Sequence, residues 1–206
     1  MKQFFATITM QAARQTKYVM ADGTEVLTEL TRFPSVIMLE KNLRAEDSDE
    51  DYELILIQVD DGSDKVKQNY ELYLEELEQL SDRLGRNVIF KEENRIIVPA
   101  DESRCKHSEL FRKICGKYKD KAEVFMELTY GTKPTTIDQY CTLVYAEKAK
   151  KCRIAGIYYG LYSFNTDAPS TIFDIKYMYD MSMLINSIAD IPGADIDKAL
   201  SLLGGQ

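Results

Sequence analysis

The stretch 123-EVFMELTYGTKPTTIDQYCTLV-144 joins two apolar patterns of different period across one short polar corner. Residues 123–128 read as a strand, and beyond the corner a helix is predicted from about residue 137 to residue 150. A strand that enters a helix through a glycine-containing loop presents unpaired amides and the positive helix end at one point, which suits a phosphate. Gly131 permits close backbone approach, Thr129, Thr132, Thr135 and Thr136 supply hydroxyls, and Lys133 adds a cation. Pro134 is tolerated at a helix start, and Thr136-x-x-Gln139 matches a capping box. The bland account, in which the threonines cap the helix and the glycine makes the turn, fits the same residues. The corner alone leaves both readings open.

Working outward, residues 3–10 suit a first strand, and Asp22-Gly23 predicts a hairpin turn within 11–30. Pro34 opens a helix carrying Val36, Ile37, Leu39 and Leu43, and the acidic run 46–51 reads as a solvated loop. Residues 52–59 are nearly all apolar, as in a strand buried on both faces, and Asp60-Asp61-Gly62 reads as turn chemistry. In 64–84 the residues Tyr70, Tyr73, Leu74, Leu77, Leu80 and Leu84 recur at helical spacing with glutamates opposite, and Gly85 can end that helix. A β-leaning segment at 88–99, a helix at 103–118 and a strand at 153–160 complete the alternation. Strands alternating with helices predict a Rossmann-like, doubly wound α/β domain: a mainly parallel sheet, helices on both faces, right-handed crossovers. That domain is expected over 1–164, followed by a helical C-terminal extension over 165–206 in which 171–191 and 194–206 are both helical.

Composition narrows the chemistry. With 206 residues the chain can bury one sizeable core, and no apolar run is long enough to cross a bilayer. The start has no long apolar signal-peptide core, so a cytoplasmic protein is expected. A formal net charge of −8 opposes the broad phosphate contacts that duplex nucleic acid requires, yet a local pocket can still hold an anion. Cys105, Cys115, Cys141 and Cys152 form no C-x-x-C pair and read as reduced thiols. His107, the single histidine, lies two residues from Cys105 without further ligands, so no metal site and no cofactor is expected. The phosphate-loop, dinucleotide and nucleophile-elbow signatures are absent.

The segment 123–162, a strand ending in Thr-Tyr-Gly-Thr-Lys-Pro, a polar-aromatic helix and then Ile-Ala-Gly-Ile-Tyr-Tyr-Gly, resembles the distal half of a CRISPR-associated Rossmann-fold (CARF) domain. The close likeness covers about a fifth of the chain, and the order of strands and helices agrees over about 1–164. The resemblance implies a homodimer that binds cyclic oligoadenylate, the messenger of type III CRISPR antiviral defence. Carried over, it implies that Thr129, Tyr130, Gly131, Thr132, Lys133 and Thr136 line the ligand, with Thr9 and Gln11 contributing from the loop after the first strand. That loop lacks the small-residue turn of many relatives, and no ribonuclease signature of the HEPN type follows. The expectation is therefore a stand-alone protein, or the sensor part of a longer chain with an effector beyond it.

Three functions follow. The first is a sensor that binds the ring across a twofold axis. The second is a metal-independent ring nuclease in which a ribose 2′-hydroxyl attacks the neighbouring phosphorus, with Lys133 stabilising charge and Thr9 or Thr132 orienting the sugar. The third is an unrelated nucleotide-binding α/β protein with one ligand per subunit.

Overall fold

Phe4, Ala6 and Ile8 of β1 (Lys2–Ile8) enter one apolar core, while Phe5 enters a second core on the opposite face. β3 (Tyr52–Asp60) repeats the pattern, with Tyr52, Leu54 and Leu56 on one side and Ile55, Ile57 and Val59 on the other. Strands buried on both faces belong inside a sheet, and each such large side chain contributes about 1.5–3 kcal/mol on burial. The computed structural model describes residues 1–44, 52–86, 88–165, 168–189, 191 and 195–201. The acidic run 46–51 and the last glycines of the chain lie outside them.

The remaining strands are β2 (Tyr18–Met20), β4 (Ile89–Pro99), β5 (Glu123–Glu127), β6 (Arg153–Leu161) and β7 (Ser170–Asp174), in the sheet order β2-β7-β6-β5-β1-β3-β4. The five strands from β6 to β4 are parallel to their neighbours, β7 runs antiparallel to β6, and β2 is parallel to β7. Helices α1 (Pro34–Arg44) and α2 (Asp64–Leu84) pack their apolar residues into the first core. On the other face α3 (Arg104–Cys115), α4 (Lys133–Lys150) and Tyr179 of α5 (Lys176–Ile188) close the second. A short α6 (Ile196–Ser201) follows. The fold is Rossmann-like and doubly wound, with a mainly parallel sheet, helices on both faces and a short helical C-terminal segment. Among the described residues no helix is long and apolar enough to cross a membrane.

Four local expectations change. The turn at Asp22-Gly23 forms, with Gly23 N–H donating to Met20 O at 3.1 Å, but no hairpin strand follows it. The Leu27 and Thr28 amides donate instead to the buried Glu40 carboxylate, and β2 takes β7 as its partner. Glu76 does not join the solvated face of α2: it is buried and pairs with Arg32 at 2.9 Å. The segment expected to be helical from 171 begins as β7, so the sheet continues past residue 164. Asp174 Oδ1 accepts the Lys176 N–H at 2.9 Å, and the helix starts only there.

The fourth change concerns α4, which begins at Lys133 rather than near 137. Its cap is Thr132, whose hydroxyl accepts the Thr135 N–H at 3.3 Å. Gln139 is therefore not a capping-box partner; it is buried and donates from Nε2 to Thr7 Oγ1 at 2.9 Å.

Candidate functional site

Apart from the edge strand β2, the chain passes from β1 to β3 and β4 on one side and then to β5 and β6 on the other. The carboxyl ends of β1 and β5 therefore form the topological switch point, where open α/β sheets place ligands. A cleft of about 1060 Å³ opens there, lined by residues 9–19, Leu30, residues 129–131, 162–164 and Ala168-Pro169. That volume reaches the top of the roughly 300–1,000 Å³ range of small-molecule sites. Among the described residues no aspartate or glutamate lines it, and its cations, Arg14 and Lys17, are exposed and make no ion pair among those residues.

One wall is held from beneath by a residue that sequence reasoning missed. Asn69 of α2 is buried and donates from Nδ2 to the carbonyls of Thr9 and Gln11, 2.8 Å each, while its Oδ1 accepts the Ala13 N–H at 3.4 Å. Thr9 Oγ1 accepts the Gln11 N–H at 3.1 Å, which tightens the same loop. A polar residue among Val66, Tyr70 and Tyr73 on the apolar stripe of α2 was the available signal.

The facing wall is the corner. Gly160 N–H donates to Thr129 Oγ1 at 2.8 Å, and Tyr130 O–H donates to Arg32 O at 2.8 Å. A Cβ on Gly160 would stand 2.9 Å from Pro34 Cβ and 3.2 Å from Thr129 Oγ1, so only glycine lets β6, α1 and the corner meet. Gly131 has φ +104, and a Cβ there would stand 3.1 Å from Thr135 Cγ2. Thr136 Oγ1 donates to Thr132 O at 3.2 Å. The hydroxyls of Thr129, Thr132 and Thr136 are thus all engaged in holding the corner together.

Of the residues expected at the site, Thr9, Gln11, Thr129, Tyr130 and Gly131 line the cleft together. Thr132, Lys133 and Thr136 stand on or before the first turn of α4 and do not line it; Lys133 is exposed. Arg14, Lys17, Tyr162 and Phe164 line it without having been singled out as ligand residues. The signal for the two cations was in plain sight, since no acidic residue occurs before Asp22 in an otherwise acidic chain.

Two titratable groups flank the region. Glu127, at the end of β5, is fully buried, and desolvation pushes its carboxyl up to about 7 although it accepts the Thr129 N–H at 2.5 Å and the Thr7 N–H at 3.4 Å. His107 Nδ1 lies 2.6 Å from Asp138 Oδ2 and its Nε2 lies 3.0 Å from Glu102 Oε2. The hydrogen bond to Asp138 is the main cause that raises its pKa above the usual histidine value. With both ring nitrogens held by carboxylates, no nitrogen is left to activate a hydroxyl or thiol. Among the described residues no group of three or more His, Cys, Asp or Glu side chains could hold a metal ion.

No protein-family model matches the chain, and no curated protein matches it in sequence. Fold and cleft together define an α/β protein with a ligand-sized crevice at the switch point of its sheet.

Proposed function

We propose that the chain is a cyclic oligoadenylate-binding sensor of the CARF type, acting in type III CRISPR antiviral defence. The observation that supports it most is the cleft itself: in a protein of net charge −8, the described residues that line the switch-point crevice include Arg14 and Lys17 and no carboxylate. Such a local field opposes the net charge and favours an anionic ligand. Thr9, Gln11 and the 129–131 turn bring small polar groups to the same space. Lys133, the first residue of α4, would meet a ligand that extends past the cleft mouth.

A ring shared across a twofold axis needs a second copy of the chain. Ile137, Cys141, Val144 and Tyr145 form an exposed stripe along α4 at helical spacing, with Ile137 61% exposed. This stripe is the surface that a second copy would cover.

The ring-nuclease reading would give Thr9 and Lys133 the catalytic roles. Thr9 lines the cleft and Lys133 does not, which favours binding without cleavage. A mononucleotide protein of another pathway would hold one ligand in each cleft. Titration calorimetry with cyclic tetra-adenylate and cyclic hexa-adenylate, with linear oligoadenylate as control, tests the proposal. Tight binding of one cyclic ligand is the expected result, and equal or better binding of the linear control contradicts it. Chromatography of the ligand afterwards reports whether the ring has been opened.

A further inference from the structure

We infer that Phe164 and Tyr162 are the base-stacking wall of the cleft, and that Arg14 and Lys17 of its 9–19 loop supply the charge for the adjoining phosphates. Phe164 is 94% exposed at the cleft, and neither it nor Tyr162 belongs to either apolar core. Phe164 in particular stands almost wholly in solvent, while Tyr162 is 37% exposed.

Their placement is nevertheless defined. The ring centroids are 5.3 Å apart with planes at 76°, an edge-to-face pair in which Phe164 stays exposed. Between them, Ser163 N–H donates to the buried Ser170 Oγ at 2.9 Å, which fastens the aromatic segment to the start of β7. Ser163 Oγ also accepts the Asn165 N–H at 3.3 Å. An anchored backbone carrying an exposed aromatic pair is suited to receive a flat ring, because stacking requires a π-face and little else.

The charge comes from the other wall. Arg14 and Lys17 share the cleft with the two rings, and among the described residues that line it no carboxylate neutralises them. Aromatic faces beside unpaired cations match a ligand that alternates planar bases with phosphates. A purine offers the larger face, so an adenylate is the committed occupant. The inference rests on the cleft being a nucleotide site, as proposed above, but not on the ligand being cyclic.

The test measures binding of cyclic tetra-adenylate, linear tetra-adenylate and inorganic pyrophosphate to the parent protein, to Phe164→Leu, to Phe164→Trp and to the double variant Arg14→Gln, Lys17→Gln. Phe164→Leu should weaken binding of the adenylate ligand about ten- to hundredfold and leave pyrophosphate unchanged, while Phe164→Trp should retain adenylate affinity. The double variant should weaken adenylate and pyrophosphate alike and flatten the dependence on salt. If the parent binds the linear adenylate better than the ring and Phe164→Leu loses it, the stacking wall stands and the cyclic reading falls. If the ring binds Phe164→Leu as tightly as the parent, the stacking wall falls and the cyclic reading stands. A parent that binds no adenylate overturns both, and a change of oligomeric state in Phe164→Leu with unaltered affinity makes the ring an interface residue and overturns the inference.

Discussion

Asn69 Nδ2 donates to the Thr9 carbonyl at 2.8 Å, so a helix from one layer fixes the loop that leaves the central strand. The same amide also serves Gln11 and Ala13, and one side chain therefore sets the shape of a whole cleft wall.

Asn69→Ala should cost about 1–3 kcal/mol of stability, since it leaves buried backbone groups without partners. Asn69→Asp should cost more, because a carboxylate would face the Thr9 and Gln11 carbonyls after losing both donors. Urea unfolding of the three proteins checks the order, and an Asp variant as stable as the parent would contradict it.

Gly131 is constrained by both conformation and space. At φ +104 any side chain is strained, and a Cβ would press on the Thr135 methyl at 3.1 Å. Gly131→Ala is expected to destabilise by about 1–3 kcal/mol and Gly131→Val by more. Thermal unfolding reads this directly; a parent-like midpoint for the Val variant would mean that the turn relaxes freely.

Glu127 makes stability depend on pH in a defined direction. Its folded pKa, about 7, lies above the ordinary value of 4.5, so the folded chain holds a proton that the unfolded chain has released between those values. That contribution is fully present below pH 4.5 and is lost as pH rises through about 7, a change on the order of 3 kcal/mol. Glu127→Gln should flatten the fall in stability between pH 5 and pH 8, whatever its effect at a single pH. An unchanged slope would show that the carboxyl titrates normally.

His107 acts in the same sense. Its pKa is raised by Asp138 and Glu102, so its contribution is present below the unfolded histidine value and is lost as pH rises through the higher folded value. His107→Gln should lower stability at pH 5 and leave it nearly unchanged at pH 9, and the reverse pattern would contradict the pairing.

Much of the fold was legible because its strands and helices carry different periods. The apolar run of β3 and the Tyr73–Leu77–Leu80 stripe of α2 declared themselves. What failed depended on distant partners. Thr171 and Ile172 are strand residues because β6 offers them a free edge, and a single sequence does not display that edge. The site was legible as a corner but not as a cleft. Gly131 and Thr129 were visible at the strand end, while Asn69, Tyr162 and Phe164 reach the region through the topology. The threonines that drew attention proved to hold the turn, and the charge in the cleft came from Arg14 and Lys17.

The central claim is that two chains share one cyclic oligoadenylate. Native mass spectrometry of the protein mixed with cyclic tetra-adenylate and cyclic hexa-adenylate reads this directly. The account predicts a complex of two chains and one ring; a single chain carrying its own ligand, or two chains carrying two, would contradict it.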